Sequence, residues 1–397
     1  MQQFNESSIK KSTCSYCGDA PVNHFFSYCE NLISITLDGY TVNLSKHVPD
    51  FLEHFANHIP VFLFKTFIFL KLAKFSSDIN KANTLRSRVI WEEAIKRGIK
   101  MEQIIFLNKP LDYYHAILNG KDIYFDSIPI PPSFMKVGQN WDDKVFLKKE
   151  FTKKNIPVPY YFPVPLFRFN NIEQIFTKFQ KPIIVKPKIG SRARHTITNI
   201  STLEQLQKGI DVVKQICPYV VLEEHLNGDV CRATLVNGVL VGFYKGRAPS
   251  VVGDGISTIR ELIVDKDNKR PDRVERIWIG QELDNHLSRA GFILDDVLPK
   301  DMSLLLSHRM GRLFGGTTKE MIDELHPSFI PILEQAAQIV KLAVAGFDCV
   351  IPDPTQSAST QRWGIIECNS LPFIDLHYYA LEGKPRNIAG MIWDLWN

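Results

Sequence analysis

At 397 residues the chain is too long for one ordinary core and long enough for two or three packed units. A composition 45% hydrophobic and 23% charged is that of a soluble globular protein, and a net charge of only +4 gives no electrostatic case for a nucleic-acid binder. The seven cysteines are odd in number and lack framework spacing, which points to reduced thiols and a cytoplasmic setting.

In chain order, the opening MQQFNESSIKK has no apolar stretch behind a basic start and does not read as a secretory signal. Cys14-x-x-Cys17, with His24 and Cys29 after it, is a candidate Zn²⁺ knuckle. The irregular His24-x₄-Cys29 spacing favours small buried thiols over zinc at Cys14 and Cys17. The apolar window Pro60 to Ala73 carries Lys65 and Lys71 and is too short to cross a bilayer. It reads as a buried helix or strand pair, with an interfacial helix as the alternative. Ser87 to Gly98 predicts an amphipathic helix, and 104–107 and 122–130 predict strands. Prolines 129, 131 and 132 then break the pattern, so residues 1–140 are expected to form an N-terminal α/β domain on the substrate side.

Residues 141–263 read as a small α+β unit with mainly antiparallel pairing. A helix over 142–155 carries Lys144, Lys148, Lys149, Lys153 and Lys154, a solvated face from which only Lys144 is singled out. KPIIVKP at 181–187 is a strand. Ser201 with Glu204 predicts a capping box, opening a helix whose buried stripe is Leu203, Leu206, Ile210 and Val213. VVLEE at 220–224 is a strand, and Asn237-Gly238 between apolar runs predicts a hairpin. The third region, 264–397, is expected to hold a helix from Pro327 to Ala345 stopped by Gly346, then strands in VIPD and WGIIECN.

Glu367 and Asn369 lie two apart in the apolar strand GIIECNS, so they project to one face. Asp348, on the preceding extended segment, reaches that face if the two strands pair. Two carboxylates and an amide oxygen form a hard-oxygen set suited to Mg²⁺, with Mn²⁺ as a substitute. Lys186, inside IIVKP, is a charge in an apolar strand that a phosphate or nucleobase would relieve. The loop Gly190 to His195, with Ser191, Arg192 and Arg194, is small and cationic enough to fold over phosphates.

The order KPIIVKP, flexible loop, VVLEEHLNGDVCR, SVVGDGISTIRELI, GFD…IIECNSLP resembles the ATP-grasp superfamily, and within it the ligase modules of cyanophycin synthetase and bifunctional glutathione synthetase. The likeness covers about residues 140–397, and Val252-Gly253-Asp254-Gly255 is its most specific piece. It implies two α+β subdomains clasping ATP: 141–263 on the nucleotide side and 264–397 with the metal site. Matched by motif, Lys144 and Lys186 would contact phosphates and the adenine side, along with Ser191 and Arg194 of the loop. Glu223 and Glu224 would meet the adenine edge, Asp229 the ribose, and Arg232 follows the Gly-Asp element. Asp348, Glu367 and Asn369 fall on the metal-ligand positions. Arg247, Arg309 and Arg312 are the candidates to clamp an acyl phosphate and a substrate carboxylate. Ala193 and His195 stand where glycines are usual, Val230 where the ribose acid is usual, and Phe373 and Asp375 depart from the family after Pro372. The role of Asp323-x-x-His326-Pro327, also shared with the module, does not follow from the sequence.

The expected activity is an ADP-forming carboxylate–amine ligase acting on an amino acid or short peptide. No nucleic acid and no transmembrane segment enters that reading, and an assembly of identical copies is compatible with it. An ATP-grasp kinase or a non-catalytic nucleotide binder are the rivals.

Overall fold

The computed structural model describes residues 14–17, 22–45, 66–134, 141–165, 171–190 and 193–397. The chain divides into two compact units, each built from three stretches. One unit comprises Leu37–Val158, Leu226–Gly246 and Thr318–Asn397; the other comprises Met1–Thr36, Pro159–His225 and Arg247–Thr317.

The first of these contains two sheets. Strands β1 (Ala73–Ser76), β2 (Lys100–Phe106), β3 (Lys109–Leu118) and β4 (Lys121–Asp126) form an antiparallel meander. The short turns from β2 to β3 and from β3 to β4 impose this pairing, since a parallel partner would need a long crossover; β1 reaches β2 by way of the helix over 85–96. The helix Leu85–Lys96 starts at Thr84, whose hydroxyl accepts from the Ser87 N–H, and buries Val89, Ile90, Trp91 and Ala94. Residues 60–65 of the window Pro60 to Ala73 lie outside the described residues; in the rest, Phe69 is 85% exposed, while Ala73, which opens β1, is buried. Among the described residues no helix is long and apolar enough to cross a membrane.

The second sheet runs β13-β10-β9-β14-β15, from Thr317–Glu320, Val239–Arg247, Asp229–Val236, Val344–Ile351 and Gly364–Asn369. Asn237 and Gly238 turn β9 into β10 with φ of 50° and 79°, the left-handed pair a two-residue hairpin needs. Expectation and structure part at Gly346. The helix ends at Val340, and Lys341 takes the left-handed cap with φ 54°. Ala345 and Gly346 belong to β14 instead. Glycine is needed there for room: a Cβ would lie 2.6 Å from Pro372 Cβ and 3.2 Å from Arg232 Cδ. The Asp323–His326–Pro327 stretch starts this helix. His326 Nδ1 accepts from the Ser328 N–H at 3.2 Å, and Asp323 pairs with Arg386.

In the other unit, β5 (Tyr161–Val164), β6 (Ile183–Pro187), β7 (Ile197–Ile200) and β8 (Val220–Glu224) form an antiparallel sheet in the order β5-β8-β6-β7. The helix Leu203–Lys214 covers it, burying Leu206, Ile210 and Val213 at about 1.5–3 kcal/mol each. Its capping box is one residue later than expected, Thr202 with Gln205, which leaves Leu203 at the first turn 42% exposed. The Val252–Gly255 string proves to be a helix-start device. The Asp254 carboxylate accepts from the N–H groups of Ile256 and Ser257, at 2.8 and 2.7 Å, and from the Ser257 hydroxyl. Those hydrogen bonds hold its pKa down at about 2. Thr258 and Glu261 then close a capping box on the helix Ile259–Lys269. Gly253 has no space for a side chain, since a Cβ would sit 2.1 Å from the Pro299 carbonyl oxygen.

Candidate active site

Three adjacent strands of the five-stranded sheet place the principal charges. Asp348 on β14 is in register with Arg232 of β9 on one side and Glu367 of β15 on the other. Gly346 is in register with Asn369, which brings the amide beside the two acids. Glu367 and Asn369 share a face, while Cys368 between them turns into the core.

The Arg232 guanidinium holds Asp348 with two nitrogens, Nε to Oδ1 and Nη2 to Oδ2 at 2.8 Å. Asn369 Nδ2 lies 3.4 Å from Asp348 Oδ2, and Lys144 Nζ lies 3.7 Å from Glu367 Oε2. Asp348 and Lys144 are 8% and 6% exposed. Burial pushes the Asp348 carboxyl up, to about 7; Arg232 works against this and neighbouring Glu367 adds to it. Arg232 and Lys144 balance the charge of the two acids, and the hard oxygen donors of Asp348, Glu367 and the Asn369 amide, side by side on one face, are a set that fits Mg²⁺.

The helix Lys144–Thr152 supplies the nearest cations. Asp143 caps it, accepting from Val145 and Phe146 N–H groups at 2.8 and 3.1 Å. Lys148, read from sequence as part of a solvated face, is fully buried, and its Nζ donates to the Ile366 carbonyl at 2.9 Å. Only the packing of this helix on β15 reveals it. Asp229 pairs with Lys245 of β10. His377, which sequence reasoning did not single out, is fully buried between Glu320 and the Thr234 hydroxyl at 2.8 Å. Arg86 reaches the segment after β15, donating to the Leu371 carbonyl at 2.6 Å.

In the other unit, Lys186 is not the unrelieved charge expected from sequence. Its Nζ donates to Glu223 Oε1 at 2.6 Å, from β6 to β8, with both side chains buried. The Glu224 carboxylate accepts from the Tyr160 N–H at 2.8 Å. Arg309 pairs with Glu282 at 2.8 Å and lies over the Phe314 ring. Arg247 is exposed, Arg194 and Arg312 are half-buried, and Ser191 lies outside the described residues.

No protein-family model matches the chain. It is 29% identical over 263 residues to a cyanophycin synthetase from a Synechocystis species, covering 64% of this chain and 30% of that protein. It is 32% identical over 223 residues to the cyanophycin synthetase of Geminocystis herdmanii, covering 54% and 25%. With the glutathione biosynthesis bifunctional protein GshAB of Mannheimia succiniciproducens it shares 26% over 333 residues, 78% of this chain and 42% of that protein. The chain thus spans less than half the length of these relatives. The bifunctional glutathione synthetase from Pasteurella multocida superposes with a TM-score of 0.54 at 21% identity, over 79% of this chain and 43% of that one. The fold is of the ATP-grasp type, and in sequence the chain is similar to cyanophycin synthetases and to bifunctional glutathione biosynthesis proteins.

Proposed function

We propose that the chain is an ADP-forming ligase that activates a carboxylate as an acyl phosphate and passes the acyl group to an amine. The observation that carries this is the row Arg232, Asp348, Glu367 across three strands, with Asn369 and Lys144 beside it. Cations and oxygen ligands so arranged suit charge that spreads over a transferring phosphoryl group. A substrate carboxylate oxygen attacks the γ-phosphorus as the bond to the ADP oxygen breaks. The amine lone pair then attacks the acyl carbon, inorganic phosphate leaves, and the amine loses a proton.

Mg²⁺, held by Asp348, Glu367 and Asn369, would shield the phosphate oxygens. Lys144, next to Glu367, contacts phosphate in this reading. Arg232 is a positioning residue in this reading, because its Nε–Nη2 edge is aimed at Asp348. Lys186, Ser191, Arg194, Glu223, Glu224 and Asp229 are assigned to the nucleotide, and Arg247, Arg309 and Arg312 to the acyl phosphate and the substrate carboxylate. The substrate class is an amino acid or short peptide, and residues 1–140 are assigned to the substrate side.

The test is ADP release with ATP, Mg²⁺ and a panel of carboxylates, with hydroxylamine as a surrogate amine. A ligase gives a hydroxamate with its own carboxylate. Carboxylate-dependent ADP formation that yields neither hydroxamate nor amide defeats the proposal, and a stable phosphorylated product turns it into a kinase.

A further inference from the structure

Among the described residues, four metal-ligating side chains come together, three of them close in sequence and one distant: Cys14, Cys17, His24 and His195. We propose that they form a structural Zn²⁺ site of the Cys₂His₂ type, which ties the segment around Cys14–His24 to the turn at residues 193–195.

The distances carry the assignment. Cys17 Sγ lies 3.3 Å from His24 Nε2 and 3.5 Å from His195 Nε2, and Cys14 Sγ lies 3.6 Å from His195 Nε2. All four donor atoms fall within 4.8 Å of one another. With Zn–S near 2.3 Å and Zn–N near 2.05 Å, a tetrahedron has sulfur–nitrogen edges of about 3.5 Å. A single sulfur–imidazole hydrogen bond explains one such distance. It does not explain one ring nitrogen facing two sulfurs, one of which also faces a second imidazole.

The surroundings prepare His195 as a ligand. Its Nδ1–H donates to the Val212 carbonyl at 2.7 Å, which leaves the Nε2 lone pair toward the sulfurs. Its backbone N–H donates at 3.0 Å to the carbonyl of Tyr16, between the two cysteines. The Cys17 N–H donates to the Cys14 carbonyl at 3.3 Å, closing the tight turn that points both thiols the same way. Cys17 and His195 are 1% and 0% exposed. Two soft thiolates with two imidazoles select zinc over magnesium, and four protein ligands leave no open position for a substrate. The site is therefore structural. It fastens the turn at residues 193–195 and gives the histidine at 195 a role.

The full chain, purified without chelator, is expected to carry one zinc by inductively coupled plasma mass spectrometry. Cys17→Ser and His195→Ala should reduce zinc to background, while Cys29→Ser retains it, since Cys29 is outside the set. Should those variants fold poorly, the unmodified protein still decides: chelator-stripped chain refilled with Co²⁺ should show thiolate charge-transfer and tetrahedral d–d absorption. Zinc should also protect Cys14 and Cys17 from alkylation. Unmodified protein with neither zinc nor the cobalt spectrum overturns the proposal, as does zinc that persists in folded Cys17→Ser and His195→Ala. Loss of zinc in folded Cys29→Ser overturns the ligand set.

Discussion

Arg232 and Asp348 form a two-pronged ion pair across neighbouring strands, 116 residues apart in sequence, with both side chains buried. The pair orients the Asp348 carboxylate, and its removal strands a buried charge. Arg232→Met is expected to cost about 3–5 kcal/mol, the usual penalty for breaking a buried pair on one side. The urea midpoint checks it; an unchanged midpoint means that the pair does not stabilise this unit.

Glu367→Gln keeps the shape of the side chain and removes its charge. Exchange of this anionic oxygen for a neutral amide should lower kcat about a hundredfold or more, with the circular dichroism spectrum unchanged. Turnover near that of the unmodified chain at saturating Mg²⁺ would remove Glu367 from the metal set.

For Lys186 the structure changes the expectation from nucleotide binding alone to stability as well. Lys186→Met leaves Glu223 buried without its ammonium and should cost about 3–5 kcal/mol. Lys186→Met with Glu223→Leu should recover most of that loss, because no uncompensated charge remains. A double variant no more stable than the single one argues against the pair as the cause.

Gly346 tests the packing behind the site. In Gly346→Ala the new methyl would meet Pro372 at 2.6 Å and Arg232 at 3.2 Å, so the segment after β15 or the guanidinium must move. Overpacking of this kind costs about 1–3 kcal/mol, and kcat should fall with it. Unaltered kcat and unfolding midpoint would show that Pro372 yields freely.

The raised pKa of Asp348 sets a pH dependence. Between the ordinary value of 3.8 and about 7 the folded chain holds a proton that the unfolded chain has released. Without metal, therefore, this group's contribution to stability falls as pH rises through that window. A cation must displace the proton, so apparent Mg²⁺ affinity should climb with pH and level off above about 7. Calorimetry in two buffers of different ionisation heat should register proton release at pH 6 and little at pH 8.

Much of this protein is written in short stretches of sequence. The strand alternation that puts Glu367 and Asn369 on one face is a local property, as are the Asn237-Gly238 turn and the helix over 85–96. Each depends on side-chain period or on φ preferences within a few residues. Period could not reveal that Gly346 belongs to a strand, because its reason is the approach of Pro372. Nor could it show that Lys186 is paired with Glu223, since that ion pair exists only once β6 lies against β8. Lys148 looked like surface because its stem and ammonium are covered by a strand more than two hundred residues later. The metal-binding group is the sharpest case. Cys14, Cys17 and His24 are visible as a knuckle, but the fourth ligand is His195, not Cys29. Only the fold brings a side chain from that distance within bonding reach, because coordination depends on separation in space and no local rule of spacing encodes it.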